Sequence, residues 1–184
     1  MFSIKRRRHI EIKLGLEVEY YPRHFDALMK LCEPYPFDYL ILGQHNTDNE
    51  YDGKYVGFMT DDEEILKRYC EQIYEALDTG KFMYLAHPDL VNFTGDSDVY
   101  KRYMRQLCKK LKEYDVPGEI NLYGIKDGRN YPDERFWRIA GEEGIGVVIG
   151  IDCHAVENLY MPECEEKAFE LIERFKLNYI ERLI

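Results

Sequence analysis

The chain has 184 residues, with 25 Lys and Arg against 35 Asp and Glu, and a formal net charge of −10. This length is enough for one domain with a hydrophobic core, and the acidic balance argues against nucleic acid as a partner because like charges repel. No stretch reaches the roughly 20 apolar residues that cross a bilayer, and five scattered cysteines without a CxxC pair indicate reduced thiols, so we expect a cytoplasmic protein with no membrane partner.

Strands and helices are predicted to alternate along the whole chain. Apolar periodicity predicts strands over residues 10–20, 38–45, 82–86, 119–122 and 146–151, with a last strand or extended tail over 177–183. It predicts helices over residues 24–31, 60–80, 99–114, 133–140 and 163–175. Strict alternation favours a parallel α/β sheet with outer helices. Because a complete eightfold barrel needs roughly 250 residues, we expect an open sheet or an incomplete barrel.

Local signals predict how some of these elements begin and end. Thr60 and Glu63 fit a capping box at the start of the second helix, and Gly80 fits a cap at its end. The segment 126–132 is rich in turn-forming residues and is predicted to be a loop.

Four of the first five predicted strands have a metal-competent side chain at or just beyond their ends. Glu17 lies near the end of the first strand, His45 and His87 end the second and third, and Asp152 and His154 follow the fifth. A single histidine at a strand end is more often structural than a ligand. Because the carboxyl ends of parallel strands meet at one face, the whole set predicts a site for a divalent ion such as zinc, manganese or iron.

The segments that carry these residues resemble the motifs of a known family. In family order they are 15–19 (GLEVE), 41–45 (ILGQH), 86–89 (AHPD), 119–121 (EIN) with 128–132 (GRNYP), and 150–154 (GIDCH). They resemble the polymerase-and-histidinol-phosphatase (PHP) metallohydrolases, specifically the histidinol-phosphate phosphatases of histidine biosynthesis. The resemblance implies a distorted TIM-like barrel of parallel strands that holds up to three metal ions.

The resemblance also implies a role for each candidate ligand. Glu17 would bridge two ions, His45 and His87 would hold the second ion, Asp152 the first and His154 the third. The implied reaction is the hydrolysis of L-histidinol phosphate to L-histidinol and phosphate, in which metal ions activate water and neutralise phosphate oxygens.

Three further residues are candidates around this site. Arg129, with Lys126 as the weaker choice, lies on the loop expected to bind the substrate phosphate, and a solvated turn is an equal alternative. Asp89 is a candidate partner that would orient His87 without binding the ion itself, and an N-cap or turn role after Pro88 is equally open.

The chain departs from the family pattern at its start. The family begins with a strand that carries an HxH pair, whereas this sequence contains no HxH and begins at the GLE strand, so we expect residues 1–184 to form a single, N-terminally truncated PHP-like domain. One ion, held by Glu17, His45 and His87, is then expected to bind well. The strand edges left exposed are expected to be covered by a second copy or by the N-terminal tail.

Three functions follow from these observations. The first is a metal-dependent phosphomonoesterase of the histidinol-phosphatase type, with activity possible but impaired by the missing ligands. The second is a non-catalytic metal-binding remnant or assembly partner. The third is a nuclease-like PHP phosphoesterase, which the net charge of −10 disfavours.

Overall fold

A computed structural model describes residues 12–183 as six parallel strands that form one sheet, with helices between them. The strands are β1 (Gly15–Val18), β2 (Tyr39–Leu42), β3 (Phe82–Leu85), β4 (Gly118–Asn121), β5 (Gly146–Gly150) and β6 (Asn178–Tyr179). The helices are α1 (Phe25–Cys32), α2 (Glu63–Asp78), α3 (Ser97–Glu113), α4 (Leu122–Asp127), α5 (Glu134–Glu143) and α6 (Pro162–Phe175), with a 3-10 turn at Val156–Asn158.

The strand order in the sheet is the same as the order along the chain, from β1 to β6. Each strand pairs in parallel with the next, and within residues 12–183 β6 does not pair with β1. The predicted parallel sheet with outer helices, open like an incomplete barrel, is therefore confirmed. All six strands end at the same rim, which is where such folds build their sites. Residues 10 and 11 of the predicted first strand lie outside the described residues.

The hydrophobic core lies between the sheet and the apolar faces of its helices. Trp137 and Phe136 on α5, Met104 on α3 and Tyr69 on α2 are fully buried, as expected for amphipathic helices that cover a sheet. In the described part of the chain, no helix is both long and apolar enough to cross a membrane.

The start of α2 differs from the predicted capping box. Asp62 is the N-cap, and its carboxylate accepts a hydrogen bond of 3.0 Å from the Glu64 N–H. Thr60 forms an isolated bridge instead: its N–H donates to the Asn92 carbonyl and its carbonyl accepts from the Thr94 N–H. This pairing keeps Thr60 extended, so the helix starts later. The predicted end at Gly80 is confirmed, with a left-handed φ of 62°.

The segment after β4 contains a short helix, α4, where part of a loop was predicted. Asn121 caps it, because its Oδ1 accepts a hydrogen bond of 2.8 Å from the Gly124 N–H. Gly128 ends it with a left-handed φ of 64°. A Cβ atom at position 124 would overlap the ring of Tyr131, so the return of the chain over α4 requires glycine there. Lys126 accordingly lies on a helix and Arg129 on the loop that follows.

Thiol reactivity tests this packing. Cys70 and Cys108 are buried, and burial raises the pKa of both thiols, whereas Cys153 is exposed. Since the thiolate is the nucleophile, we expect iodoacetamide at pH 8 to alkylate Cys153 in the native protein and to leave Cys70 and Cys108 unmodified. Peptide mass spectrometry measures this, with guanidinium-unfolded protein as the control in which all sites react. Rapid native labelling of Cys108 would contradict the burial of α3.

Candidate metal centre

Three ligand-competent side chains from the first three strands meet at the rim. Glu17 lies on β1, and His45 and His87 lie just beyond the ends of β2 and β3. Glu17 Oε1 is 3.6 Å from His87 Nε2 and 4.0 Å from His45 Nε2, and the two imidazole centroids are 4.7 Å apart. One potential ligand atom from each residue lies within 4.8 Å of the others. We call these three residues the triad.

The triad fits a divalent ion by its donor chemistry and by one unpaired atom. Two imidazoles and a carboxylate are a donor set that zinc accepts. His87 is buried, and its Nδ1 has no hydrogen-bond partner among residues 12–183. The other imidazole nitrogen, Nε2, faces Glu17 Oε1 at 3.6 Å. Because buried polar atoms are normally paired, the unpaired Nδ1 marks His87 as a side chain whose polar contacts the described residues do not complete.

A glycine on the neighbouring strand makes room for Glu17. Gly43 directly follows β2, and a Cβ atom there would overlap Glu17 Oε1. The Glu17 side chain therefore lies over the Gly43 backbone on its way to the histidines. Any larger residue at position 43 would displace the carboxylate from the triad.

Glu19 orients His45 and was not predicted as a site residue. Its Oε1 lies 3.2 Å from His45 Nδ1, and its Oε2 accepts hydrogen bonds from the backbone N–H groups of His45 and Asn46 at 3.2 and 3.1 Å. With Nδ1 held by this carboxylate, Nε2 is the nitrogen that faces Glu17. A carboxylate behind a ligating histidine is a common support for metal sites. The sequence signal is the second glutamate of GLEVE.

Charge pairing sets the ionisation of the triad. The contact between Glu17 and His87 holds the pKa of Glu17 below its usual value, although burial acts in the opposite direction. Burial disfavours a charged His87, but the nearby Glu17 and Glu119 carboxylates outweigh it and raise the pKa of His87. Burial also disfavours an ionised Glu19, yet hydrogen bonding to His45 lowers the pKa of Glu19 overall. The carboxylates that face the histidines are thus kept in the ionised form that binds cations.

Asp152 and His154 pair with each other after β5. His154 Nε2 lies 2.9 Å from Asp152 Oδ1, and the Tyr123 ring packs edge-on against His154 at 5.1 Å. Among residues 12–183, the side chains that lie close enough together to hold one ion are those of the triad. Asp152 and His154 are not part of that group. The structure thus brings together three of the five predicted ligands and places the other two as a separate pair at the same rim.

Glu119 and Asn121 of β4 lie between the triad and this pair, and neither was predicted to have a role. Glu119 is buried, and its Oε2 accepts hydrogen bonds of 3.2 Å from the His87 N–H and from Asn121 Nδ2. Asn121 Nδ2 also donates to Asp152 Oδ2 at 3.1 Å. Burial raises the pKa of Glu119. The sequence signal is the pair of polar residues in the strand motif EIN, but spacing alone does not reveal their partners.

Asp89 does not orient His87 as the sequence suggested. Its Oδ2 accepts hydrogen bonds from the Asp133 N–H at 2.6 Å and from Trp137 Nε1 at 2.8 Å. Burial raises the pKa of Asp89 to about 7. Because both donors belong to the start of α5, Asp89 fixes that helix against the end of β3, a long-range role that was not predicted.

The two candidate phosphate ligands already have protein partners. Arg129 donates to Asp127 at 3.0 Å and to the Tyr131 hydroxyl at 3.1 Å, and its guanidinium lies 5.0 Å from the Tyr123 ring. Lys126 donates to the Asn158 side chain. The Tyr131 ring lies 5.7 Å from the His87 ring, so Tyr131 links Arg129 to the triad.

A parallel sheet with carboxylates and imidazoles gathered at the carboxyl ends of its strands suits a metal-dependent hydrolase. The chain matches the family model of the PHP domain over residues 2–122, a range that contains the whole triad. It therefore belongs to the PHP-domain family.

A solved structure shares this fold. Histidinol phosphate phosphatase from Lactococcus lactis subsp. lactis Il1403, complexed with Zn, L-histidinol and phosphate, matches with a TM-score of 0.68 and 19% sequence identity. The match covers 93% of this chain and 69% of that chain. No curated protein matches the sequence.

Replacement of Gly150 tests the packing of Glu119. A Cβ atom at position 150 would overlap Glu119 Oε1, whereas a Cβ atom at Gly118 would meet nothing nearer than Pro88 Cγ at 3.3 Å. We expect Gly150→Ala to displace the carboxylate and to lower the free energy of unfolding by about 2 kcal/mol, because buried polar groups lose their partners. Urea unfolding measures the loss, with Gly118→Ala as the matched control. Equal losses in the two variants would contradict this packing.

Proposed function

We propose that the chain is a metal-dependent phosphomonoesterase that hydrolyses L-histidinol phosphate to L-histidinol and phosphate. The observation that carries the proposal is the convergence of Glu17, His45 and His87 at the carboxyl ends of three successive strands. The fold shared with a phosphatase solved with Zn, L-histidinol and phosphate supports a small phosphorylated substrate.

In this proposal the triad holds the ion, which is zinc, manganese or iron. When bound, a divalent cation supplies the Lewis acidity that activates water and neutralises phosphate charge. Glu17 contributes an ionised carboxylate, His87 closes the buried side of the site, and Glu19 keeps the His45 ring turned toward Glu17. Asp152 and His154 would contribute to binding further ions at the same rim.

Arg129 is the better candidate to bind the substrate phosphate. Its hydrogen bonds to Asp127 and Tyr131 fix the guanidinium plane, and a fixed guanidinium loses little freedom when it binds phosphate oxygens. Lys126 remains the weaker candidate, because it lies on α4 and must release Asn158 to reach a substrate.

A non-catalytic metal-binding domain is the second candidate. The position of Asp152 and His154 favours this candidate, because they pair with each other outside the triad. The triad then supplies an ion with three protein ligands. Such a domain would act in an assembly. Ile12 and Leu14, just before β1, are exposed, and β1 is the first strand of the sheet and pairs only with β2 among the described strands. A second copy of the chain that covers the outer edge of β1 is our proposal for the partner.

Metal content and turnover together test the proposal. We expect the purified protein to bind zinc or manganese and to release phosphate from L-histidinol phosphate only in the metal-loaded form. Glu17→Gln and His87→Ala should each reduce the rate by at least roughly 100-fold, because each removes a ligand of the activating ion. Elemental analysis and a colorimetric phosphate assay provide the measurements, with Glu166→Gln on the exposed face of α6 as the control.

The possible outcomes separate the two candidates. One bound ion without phosphate release would favour the non-catalytic domain. Phosphate release that persists in both ligand variants would contradict the assignment of the triad. Sedimentation as a monomer over a wide concentration range would contradict the proposed second copy at β1.

A further inference from the structure

A continuous set of hydrogen bonds crosses β3, β4 and β5 beside the triad. The His87 N–H donates to Glu119 Oε2 at 3.2 Å, Asn121 Nδ2 donates to the same oxygen at 3.2 Å, and Asn121 Nδ2 also donates to Asp152 Oδ2 at 3.1 Å. We call these four residues the strand-end network. It connects the buried histidine of the triad to the separate Asp152–His154 pair.

The orientation of the Asn121 side chain is fixed by the helix that follows it. Its Oδ1 accepts the N-capping hydrogen bond from the Gly124 N–H at 2.8 Å, so its Nδ2 must be the atom that faces Glu119 and Asp152. Both hydrogens of that amide are therefore used to hold two carboxylates. This placement matters because the carboxylates would otherwise repel each other at one end of the sheet.

The two ends of the network are both held in a backbone conformation that L residues rarely adopt. His87 has a φ of 32° and Asp152 a φ of 50°, and each lies two residues beyond the end of its strand. Residues other than glycine are strained in this region and adopt it only where their surroundings impose it. The network contacts both residues: the His87 N–H donates to Glu119, and the Asp152 side chain accepts from Asn121.

We propose that Glu119 and Asn121 are positioning residues, which through hydrogen bonds hold His87 in the triad and Asp152 in place beside it. Glu119 acts in this role as a hydrogen-bond acceptor for the backbone of His87 and does not bind the ion itself. The inference rests on the proposed function in one respect, namely that the triad binds the ion.

The geometry provides a discriminating substitution. Both hydrogen bonds to Glu119 end on the same oxygen, Oε2, so a glutamine whose side-chain oxygen takes that place accepts both of them. Glu119→Gln therefore preserves the network without the charge, whereas Glu119→Ala removes it. A metal ligand or a proton acceptor at position 119 would be impaired by both substitutions.

Zinc affinity is the first measurement, by competition with a chromophoric chelator at pH 7. We expect Glu119→Gln to stay within about threefold of the wild type, and Glu119→Ala and Asn121→Ala to bind zinc roughly 10- to 100-fold more weakly, the usual effect of losing a residue that orients a ligand. Leu107→Ala is the control: Leu107 is a buried residue of α3, and its replacement lowers the stability of the fold without touching the network. Circular dichroism establishes that each variant is folded at the temperature of the titration.

Two outcomes would overturn the proposal. Equal loss of affinity in Glu119→Gln and Glu119→Ala would mean that the charge is required and that Glu119 is a ligand. Wild-type affinity in Glu119→Ala and Asn121→Ala would mean that the network serves stability alone.

Hydrogen exchange at the His87 amide, measured by NMR without metal, separates this inference from the proposed function. We expect slow exchange in the wild type and in Glu119→Gln, and exchange at least tenfold faster in Glu119→Ala, with the core amides of α3 unchanged. If the wild type binds no zinc, the proposed function fails, and exchange at the His87 amide alone then tests whether the strand-end network holds His87. Rapid exchange of the His87 amide in the wild type would overturn the inference.

Discussion

The contact between the Glu17 carboxylate and the His87 imidazole is the interaction on which the metal centre depends. Glu17 lies on β1 and His87 just beyond the end of β3, and these two strands are not neighbours in the sheet, because β2 lies between them. The contact therefore has to cross β2, and it can do so because Gly43 has no side chain at the crossing point. The order of the parallel strands brings both residues to one rim, and the lack of a side chain at Gly43 lets them come into contact.

The acidic residues at this rim explain why a cation fits there. Glu17 and Glu119 lie on β1 and β4, and Glu19 and Asp152 lie in the loops after β1 and β5. The protein offsets the repulsion among these carboxylates with imidazole, amide and backbone N–H groups. A divalent ion that binds the folded chain and not the unfolded one adds to its stability in proportion to the logarithm of its concentration. Metal binding and folding are thus expected to be coupled in this domain.

The sheet could be predicted from a local pattern, an apolar run that ends in a polar, ligand-competent residue. The same pattern marked Glu17, His45 and His87 among five candidate ligands, and the resemblance to the PHP family then grouped these three around one ion. The predicted alternation of strands and helices follows from the same periodicity. The roles of Glu119, Asn121 and Asp89 could not be predicted, because they depend on which backbone N–H or indole lies opposite across the fold. Helix α4 was missed for a similar reason: its cap, Asn121, also ends a strand. Both elements share one residue, and periodicity assigns that residue to the strand alone.

The two glycines that accommodate glutamates share one geometric rule. Glu17 pairs in register with Ile41, and Glu119 pairs in register with Val148. In each case the glycine under the carboxylate, Gly43 or Gly150, stands two residues beyond that partner on the next strand. An acid and a glycine offset by two across a parallel pair therefore form a recognisable unit, which this sheet uses once on each side of His87. Such a unit can be sought in sequences whose histidine motifs have diverged, since it reports the path of the carboxylate rather than the identity of the ligand.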